Sequence, residues 1–259
     1  MAHKAKVNGT VYEIAGGKTS VNGTGYDIKN GRTLVGGTGY EISVRSTIGN
    51  LPVGSSVFLN VNDVSTEFLV VHQGNPDAAI YDSSCDGTWV MMKDIYTSRA
   101  WHSSNANNYA NSTIHNYLND TFFRALDNDF RNAVKEVKIP YYQGNGFVKY
   151  IGANGLEVKV FLLSNIELGL GSEYYYYNPD DGAKLDYFIK GEDFSACQRR
   201  FAYLKGVATN WWTRSPVLNS SQHVMRVDTG GEILNITAST AQGIRPAFIL
   251  PSDFENFSK

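Results

Sequence analysis

The sequence has few cysteines, and they are not arranged as metal ligands. Cys85 and Cys197 are the only two in 259 residues. Neither lies in a CxxC motif or in a His/Cys cluster with zinc-ligand spacing. This argues against a structural zinc site and predicts two free, buried thiols, with a single disulfide as the alternative.

Charge is also scarce, and no run of lysine or arginine occurs. Charged residues make up 19% of the chain and the formal net charge is −2, so the basic surface that neutralises phosphates is missing. We therefore expect no nucleic-acid partner. No apolar stretch has the length of a signal peptide or approaches the ~20 residues of a membrane helix. We expect a soluble chain without membrane insertion.

Glycine and aromatic residues are abundant instead. The chain contains 25 Gly, 16 Tyr, 13 Phe and 4 Trp, a composition that favours turn-rich β-structure and contact surfaces. Its length allows one large or two small domains.

The first 42 residues repeat with a period of 14 residues, as Val7–Ile14, Val21–Ile28 and Val35–Ile42. Each repeat places Asn-Gly or Gly-Gly between a Val and a Thr-x-Tyr-x-Ile alternation, a pattern typical of two-residue hairpin turns. Further turns are predicted at Gly16-Gly17 and Asn30-Gly31, which gives a β-meander of short strands.

Short hairpins are marginal in water and need a partner surface. We therefore expect residues 1–45 to form an oligomerisation and attachment segment, with a homotrimer around a cyclic axis as the expected assembly. A flexible Gly-rich tether is the alternative. Residues 46–259 are predicted to form a second, α+β domain.

Strands in this domain are predicted from alternating or solidly apolar runs. They cover 57–61 and 66–71, joined by an Asn62-Asp63 turn, then 89–92, 157–163, a hairpin from 223 to 237 turning at 229–231, and a closing strand at 243–250.

Two helices are predicted between these strands. Helical spacing of Ile114, Tyr117 and Leu118 follows a possible Ser112 cap. The same spacing recurs from Phe130 to Val137, with Asp127 or Asp129 as the N-cap. Pro140 is expected to end that helix.

The segments Trp211-Trp212-x-Arg214-Ser215-Pro216 and Gly243-Ile244-Arg245-Pro246-Ala247 resemble the C-terminal signature of a domain family common in phages and prophages of Gram-positive gut bacteria. Trp101-His102-Ser103-Ser104-Asn105 and Val137-Lys138-Ile139-Pro140-Tyr141 agree with the same pattern in the same order. The resemblance covers residues 46 to 251, and the preceding repeats look like those that join such domains to a tail structure.

This resemblance implies a C-type-lectin-like fold related to the variable receptor-binding proteins of diversity-generating retroelements. In those relatives the altered positions lie between the tryptophan motif and the final Gly-x-Arg-Pro strand. The corresponding window here is Val217–Gln242, which departs from the pattern because it is not rich in Asn. The resemblance further implies a virion protein of the phage tail, made in the bacterial cytoplasm, that acts extracellularly on a host-surface protein or glycan and contacts other tail proteins.

Alternation along the hairpin predicts one polar face, with Val224, Arg226 and Asp228, opposite an apolar face with Met225 and Val227. Polar exposed positions tolerate substitution, so recognition can evolve there; an inert solvated surface is the alternative. The predicted ligand-binding residues are Asn219, Ser220, Gln222, His223, Met225, Arg226, Asp228, Glu232, Leu234, Asn235, Thr237, Ser239, Thr240 and Gln242.

Other conspicuous residues are interpreted as structural. Trp211 and Trp212 are predicted to pack in the core or at its rim, with sugar stacking as the alternative. Arg214 and Arg245 are each expected to pair with a carboxylate at the base of the hairpin, with ligand contact as the alternative.

We predict neither metal, cofactor nor catalytic residue. His102 and His115 lack ligand spacing, and the loop 178–182 lacks the alternating carboxylates of a calcium site. No GxSxG motif, P-loop or activated nucleophile is present. The competing hypotheses are a structural tail or decoration protein without ligand, a formylglycine-generating-type enzyme, and a glycan-cleaving enzyme, which would need two carboxylates about 5 to 10 Å apart.

Overall fold

The computed structural model describes residues 47–144, 148–171 and 177–255, and six strands between residues 3 and 43 as backbone only. The chain divides into two compact units, Met1–Ser46 and Thr47–Lys259. No helix of the described residues is long and apolar enough to cross a membrane.

The first unit contains three two-stranded antiparallel hairpins. Their strands are β1 (His3–Val7), β2 (Thr10–Ile14), β3 (Lys18–Val21), β4 (Thr24–Asp27), β5 (Asn30–Val35) and β6 (Thr38–Ser43). Each hairpin pairs the Val of one repeat with the Thr three residues later, so the predicted tight connections recur with the 14-residue period.

One predicted turn in this unit is wrong. Asn30 and Gly31 pair with Ser43 and Ile42 as the first residues of β5, so they extend a strand and do not form a turn. Gly16-Gly17 lies outside the described residues. The described strands form separate two-stranded sheets and not the one continuous meander that was predicted.

The second unit is α+β with mostly strands, which confirms the predicted class. Its strands are β7 (Ser56–Val61), β8 (Val64–Gln73), β9 (Thr88–Met92), β10 (Thr97–Ala100), β11 (Val137–Ile139), β12 (Tyr141–Tyr142), β13 (Lys149–Tyr150), β14 (Leu156–Val158), β15 (Val160–Phe161), β16 (Tyr203–Leu204), β17 (Val207–Ala208), β18 (Trp211–Pro216), β19 (His223–Val227), β20 (Ile233–Thr237), β21 (Ala241–Ile244) and β22 (Ala247–Leu250). Its helices are α1 (Thr113–Tyr117), α2 (Phe123–Ala125), α3 (Asn128–Ala133) and α4 (Phe194–Gln198), with a π-helical turn at Leu118–Phe122.

The first sheet of this unit has the strand order β15-β22-β9-β8-β7. Both of its faces are buried: Val70, Val90 and Phe248 pack into one hydrophobic cluster, and Met91 and Ile249 into another. The predicted β7–β8 turn is present at Asn62 and Asp63, whose φ angles of 50° and 61° suit a tight hairpin with right-twisted strands.

The predicted first helix is present, and the second is shorter than predicted. The Ser112 hydroxyl accepts a hydrogen bond from the His115 N–H at 3.1 Å, the expected N-cap of α1. Helix α3 ends at Ala133, whereas Val137 lies in β11 and pairs with Val158. The helical spacing was misleading because Val137 and Ile139 also alternate as strand residues, so Pro140 ends a strand and not a helix.

The second sheet has the order β10-β21-β18-β19-β20. Strand β18 pairs in parallel with β21 and antiparallel with β19. The predicted closing strand is in fact two strands in different sheets, because Arg245-Pro246 separates β21 from β22. The predicted strand at 157–163 is likewise divided into β14 and β15.

Candidate ligand-binding site

The hairpin predicted to carry the ligand surface is formed by β19 and β20, with Met225 opposite Asn235 at its middle. The predicted site residues fall into distinct places along it. They lie at its open end (Asn219, Ser220, Gln222, His223, Thr237, Ser239, Thr240), within its strands (Met225, Arg226, Leu234, Asn235), at its turn (Asp228, Glu232), and on β21 (Gln242).

Three loops meet at the open end of the hairpin. We call this surface the loop face, and it consists of residues 102–105, 219–223 and 237–240. The Ala238 N–H donates to the Gln222 carbonyl at 2.8 Å, and the Ala238 carbonyl accepts from the Trp101 N–H at 2.9 Å. The Ser239 N–H donates to Asn105 Oδ1 at 3.2 Å. Hydrogen bonds thus join segments that are far apart in the sequence.

A buried amide beneath the loop face fixes its main chain. Asn107 is 2% exposed, and its Nδ2 lies 2.7 Å from the Ser220 carbonyl, 3.0 Å from that of His223 and 3.4 Å from that of Val217. Gly144 packs so closely that a Cβ there would lie 2.6 Å from Asn107 Oδ1. These bonds from inside hold the main chain of the turning loop, and the Ser220 hydroxyl adds to them by accepting hydrogen bonds from the N–H groups of Gln222 and His223 at 3.2 and 3.1 Å.

The side chains of the loop face are polar and uncharged. Segments 102–105, 219–223 and 237–240 contain no Asp, Glu, Lys or Arg. Asn219, Ser221, Gln222 and Ser239 are exposed, whereas Ser220 Oγ lies 2.9 Å from His223 Nδ1. The exposed members therefore offer hydrogen-bonding groups on a main chain that is already fixed.

The turn end of the hairpin is bound to the protein interior. Asp228 Oδ1 accepts hydrogen bonds from the N–H groups of Gly230 and Glu232 at 2.8 and 3.0 Å. Gly231 has a φ of 82°, and a Cβ there would lie 2.5 Å from the Cys197 carbonyl. The Asp228 carboxylate thus serves the turn, and of the two predicted turn residues Glu232 is the exposed one.

The predicted apolar face of β19 is present, but the predicted polar face is only partly exposed. Met225 is fully buried beside Val227, so its side chain is not available to a ligand and its assignment as a binding residue is corrected. Val224, on the predicted polar face, is also buried. Both faces are covered at Val224 and Met225 because β19 is an interior strand of its sheet, whereas Arg226 and Asp228 are only half-buried. Period-two alternation does not reveal what covers each position.

The two tryptophans of β18 are core residues, as predicted. Both are buried, and their indole N–H groups donate to main-chain carbonyls. Trp211 Nε1 bonds to Arg200 at 3.0 Å and Trp212 Nε1 to Arg99 at 2.9 Å. The alternative of a sugar-stacking platform is therefore wrong for this pair.

Arg214 pairs with a carboxylate, as predicted. Its Nη1 lies 2.5 Å from Glu167 Oε2 and its Nη2 lies 2.7 Å from Glu167 Oε1, with both side chains fully buried. Tyr81 donates its hydroxyl to the same carboxylate at 2.6 Å. This group joins β18 to the loop that follows β15 and leaves no face of the guanidinium for a ligand.

A second buried carboxylate lies beside this pair. The Ser215 hydroxyl is 2.9 Å from Asp181 Oδ2 and 3.1 Å from Oδ1. Burial raises the pKa of Asp181 to about 7, although Arg214 and the Ser215 hydrogen bond oppose this shift. Glu167 and Asp181 form a carboxylate pair, but both are fully buried, so no glycan reaches them in this conformation.

The expected carboxylate partner of Arg245 is wrong. Arg245 is buried and donates to the main-chain carbonyls of Met92 and Lys93 at 3.2 and 2.7 Å, and its guanidinium carbon lies 4.6 Å from the centroid of the Trp211 ring. Burial lowers its pKa to about 10. Carbonyl dipoles and an aromatic face thus take the place of the predicted ion pair.

The remaining candidates are structural. His115 lies over Tyr109 and its pKa is lowered by burial, while His102 Nδ1 accepts the Ser104 N–H at 3.1 Å. Both cysteines are free and buried, as predicted. Among the described residues no group of three His, Cys, Asp or Glu side chains is placed to hold a metal ion.

Sequence reasoning missed the support of the site. Asn107 precedes the residues it holds by over one hundred positions, and nothing in its local pattern distinguishes it from the neighbouring polar residues. Residues 102–105 belong to the loop face, although no sequence pattern predicts them as part of the ligand surface.

The fold and this surface define an α+β domain that presents an uncharged polar loop surface on a fixed hairpin. A family model described as "Domain of unknown function (DUF6273)" matches residues 86–252, more than half of the chain, so the chain belongs to that family. The match includes both the loop face and β18–β20. No curated protein and no solved structure matches the chain.

Proposed function

We propose that this chain is a receptor-binding, adhesin-like protein of a phage tail whose loop face binds a host-surface ligand. Its second unit is a C-type-lectin-like domain in this proposal, and the window Val217–Gln242 corresponds to the variable cassettes of retroelement-diversified proteins. The proposal places the protein in the virion and gives it a binding and not a catalytic role.

The observation that carries the proposal is the fixed main chain of the loop face. Asn107 bonds from inside to the carbonyls of Ser220 and His223, while Ser221, Gln222 and Ser239 project outward. Side chains of this kind change without loss of the fold, because exposed substitutions usually alter stability by under ~0.5 kcal/mol. A surface with a fixed backbone and replaceable polar side chains is what antibody-like paratopes use.

Tyrosine side chains close to the loop face add aromatic surface for contact with a ligand. The Leu218 N–H donates to the Tyr177 carbonyl at 2.9 Å, and the Tyr177 side chain is exposed. On the short β12–β13 hairpin the rings of Tyr141 and Tyr150 stack with their centroids 5.0 Å apart. Gly144, which follows β12, packs against Asn107, so this hairpin lies close to Asn107. Tyrosine beside Ser and Asn is the usual composition of adaptable binding surfaces.

The thiols and carboxylates that could act in catalysis are buried, which favours a binding function over a catalytic one. Burial raises the pKa of the Cys85 thiol to about 12 and raises that of Cys197, so neither thiol is activated as a nucleophile. The carboxylate pair Glu167 and Asp181 is engaged by Arg214 and Ser215. These groups have structural partners and no access for a substrate.

The hairpins of residues 1–45 supply multivalency in this proposal. We propose that they assemble the chain as a homotrimer and attach it to other tail proteins. Weak binding by one loop face is then strengthened because the second and third contacts become intramolecular.

Binding to intact Gram-positive gut bacteria tests the proposal. The full chain is compared with a loop-face variant, Ser221→Ala/Gln222→Ala/Ser239→Ala, and with a control variant, Ser65→Ala/Asn132→Ala/Glu136→Ala, whose residues are also exposed but lie on other elements. Light scattering gives the oligomer mass of each, and circular dichroism its fold.

We expect the wild type and the control to bind at least one strain, and the folded loop-face variant to lose most of that binding. If all three bind equally, the ligand surface lies elsewhere. If the wild type binds no strain in a broad panel, the receptor-binding function itself is rejected and a structural tail protein is the better interpretation.

A further inference from the structure

Arg226 is a cation with no partner on the ligand-facing hairpin. It lies on β19 opposite Trp212 of β18 and Leu234 of β20. Its Nε and Nη1 are buried and form no hydrogen bond within the part of the chain that the structure describes. The side chain as a whole is half-buried, so part of it reaches the surface.

The other buried arginines on β18 and before it are satisfied. Arg214 bonds to Glu167 and to main-chain carbonyls, and Arg200 bonds to the carbonyls of Leu168, Gly191 and Gly231. Arg245 also has one nitrogen, Nη1, without a partner among the described residues, but it is fully buried, whereas Arg226 reaches the surface.

None of the ion pairs between described residues includes Arg226. Strands β18 and β20 contain no acidic residue. Asp228 lies two residues after Arg226, and its Oδ1 accepts hydrogen bonds from the N–H groups of Gly230 and Glu232. The Glu232 side chain is exposed at the turn.

A buried donor without an acceptor destabilises a protein, and an unpaired charge does so more strongly. A guanidinium matches a carboxylate through two parallel N–H···O bonds. We propose that Arg226 is the ligand-anchoring residue of this domain and that the part of its guanidinium at the surface binds the carboxylate of an Asp or Glu side chain on a protein ligand. This inference rests on the proposed function and names its ligand class.

A protein carboxylate is favoured over that of an acidic sugar by what surrounds Arg226. Leu234, its cross-strand neighbour, is 42% exposed and offers apolar contact. A sugar ring is held best by an exposed aromatic face, but the aromatic rings of β18, Trp211 and Trp212, are buried, and β19 and β20 have none. A cation beside an exposed aliphatic side chain suits an acidic residue flanked by apolar ones.

Nuclear magnetic resonance of the arginine Nε–H groups tests this ligand class on the full chain. The probe is a capped peptide, acetyl-Leu-Asp-Leu-amide, with acetyl-Leu-Asn-Leu-amide and sodium glucuronate as comparisons. We expect the Asp peptide to shift the Arg226 Nε–H signal and the other two to leave it unmoved. Arg226→Gln should weaken peptide binding about tenfold or more, because a charge-assisted bond is lost.

The control is Arg124→Gln, since Arg124 is exposed and already paired with Asp120 at 2.7 Å. This variant should bind the Asp peptide as the wild type does. Failure of the peptide to shift the Arg226 signal, equal shifts with both peptides, or a shift with glucuronate alone overturns the inference.

A stability measurement separates an anchoring role from a structural one. If Arg226 has no internal partner, Arg226→Met should melt at the wild-type temperature or above it, because a buried unpaired charge is replaced by an apolar group of similar size. A fall of the melting temperature by more than about 4 °C, roughly 1 kcal/mol for a domain of this size, contradicts the inference.

The cell-binding assay keeps this inference distinct from the proposed function. Loss of binding by Arg226→Gln supports both. Binding by the wild type and by Arg226→Gln alike supports the receptor-binding function and rejects Arg226 as its anchor. Absence of wild-type binding to all strains rejects the function on which this inference rests, and the inference with it.

Discussion

Both carboxylate oxygens of Glu167 are bound by both terminal nitrogens of Arg214, at 2.5 and 2.7 Å, in a site closed to solvent. The pair connects the central strand of the second sheet to a loop 47 residues earlier. Tyr81, from before β9, donates to the same carboxylate. Three distant parts of the chain therefore depend on one ion pair.

Removing one partner of this pair should be strongly destabilising. We expect Glu167→Ala to lower the free energy of unfolding by about 3–5 kcal/mol, since it leaves the Arg214 charge buried and uncompensated. Urea denaturation measures the effect. Asp120→Ala, which breaks the exposed ion pair with Arg124, should cost under about 0.5 kcal/mol. Similar losses in the two variants would contradict the role assigned to the buried pair.

The stability of the domain should depend on the ionisation of Asp181. Burial raises its pKa from an ordinary value of 3.8 to about 7, so the folded state holds this proton more tightly than the unfolded chain does. The stabilisation is therefore complete below about pH 4 and is lost as the pH rises through about 7. Other carboxylates, such as Glu67 with its lowered pKa, act in the opposite direction.

A variant isolates this contribution. Asp181→Asn keeps an acceptor for the Ser215 hydroxyl but does not titrate. We expect the stability of the wild type relative to this variant to fall between pH 5 and pH 8, by an amount on the order of 1–4 kcal/mol. Chemical denaturation across that range measures it, and a constant difference would show that Asp181 titrates normally.

The loop face should lose its order when its internal support is removed. Asn107→Ala deletes the bonds to the carbonyls of Val217, Ser220 and His223, and we expect a loss of about 1–3 kcal/mol of stability. In this variant, amide hydrogen exchange should become faster at residues 217–223, and it should change much less in β18. Asn105→Ala, on the exposed side of the same surface, serves as the comparison and should change exchange only near Ser239.

Both cysteines should resist modification in the folded protein. Burial raises the pKa of Cys85 to about 12 and raises that of Cys197, so the thiolate fraction of both falls below that of an exposed cysteine. Ellman's reagent should react slowly with the native chain and with two thiols after addition of guanidinium. Rapid reaction of either thiol in native protein would reveal an exposed, activated cysteine.

Local patterns predicted the elements whose residues are neighbours in sequence. Alternation and turn residues located β7, β8 and β9 and the β19–β20 hairpin, and Ser112 correctly marked the start of α1. Such patterns do not predict which distant segments pair with each other. The choice of β11 over a helix at Val137 depends on β14, about twenty residues later.

The candidate site was predictable only in outline. Sequence alternation located the hairpin and placed Met225 on its apolar face, which is buried, so the inclusion of Met225 among the ligand-binding residues was wrong. The partner of Arg214 was expected to be a carboxylate, yet only the fold identifies Glu167. The contributions of residues 102–105 and of Asn107 come entirely from tertiary contacts, which have no local signature.

The break at Arg245-Pro246 has a consequence for biosynthesis. Strand β22 lies between β15 and β9 in the first sheet. It begins about 155 residues after the end of β9, so it is synthesised much later than the strand with which it pairs. Until Leu250 has left the ribosome, β9 has a free edge and the sheet is in two parts. Such long-range closure is slow, so during synthesis the nascent domain exposes an unpaired edge strand, which favours aggregation.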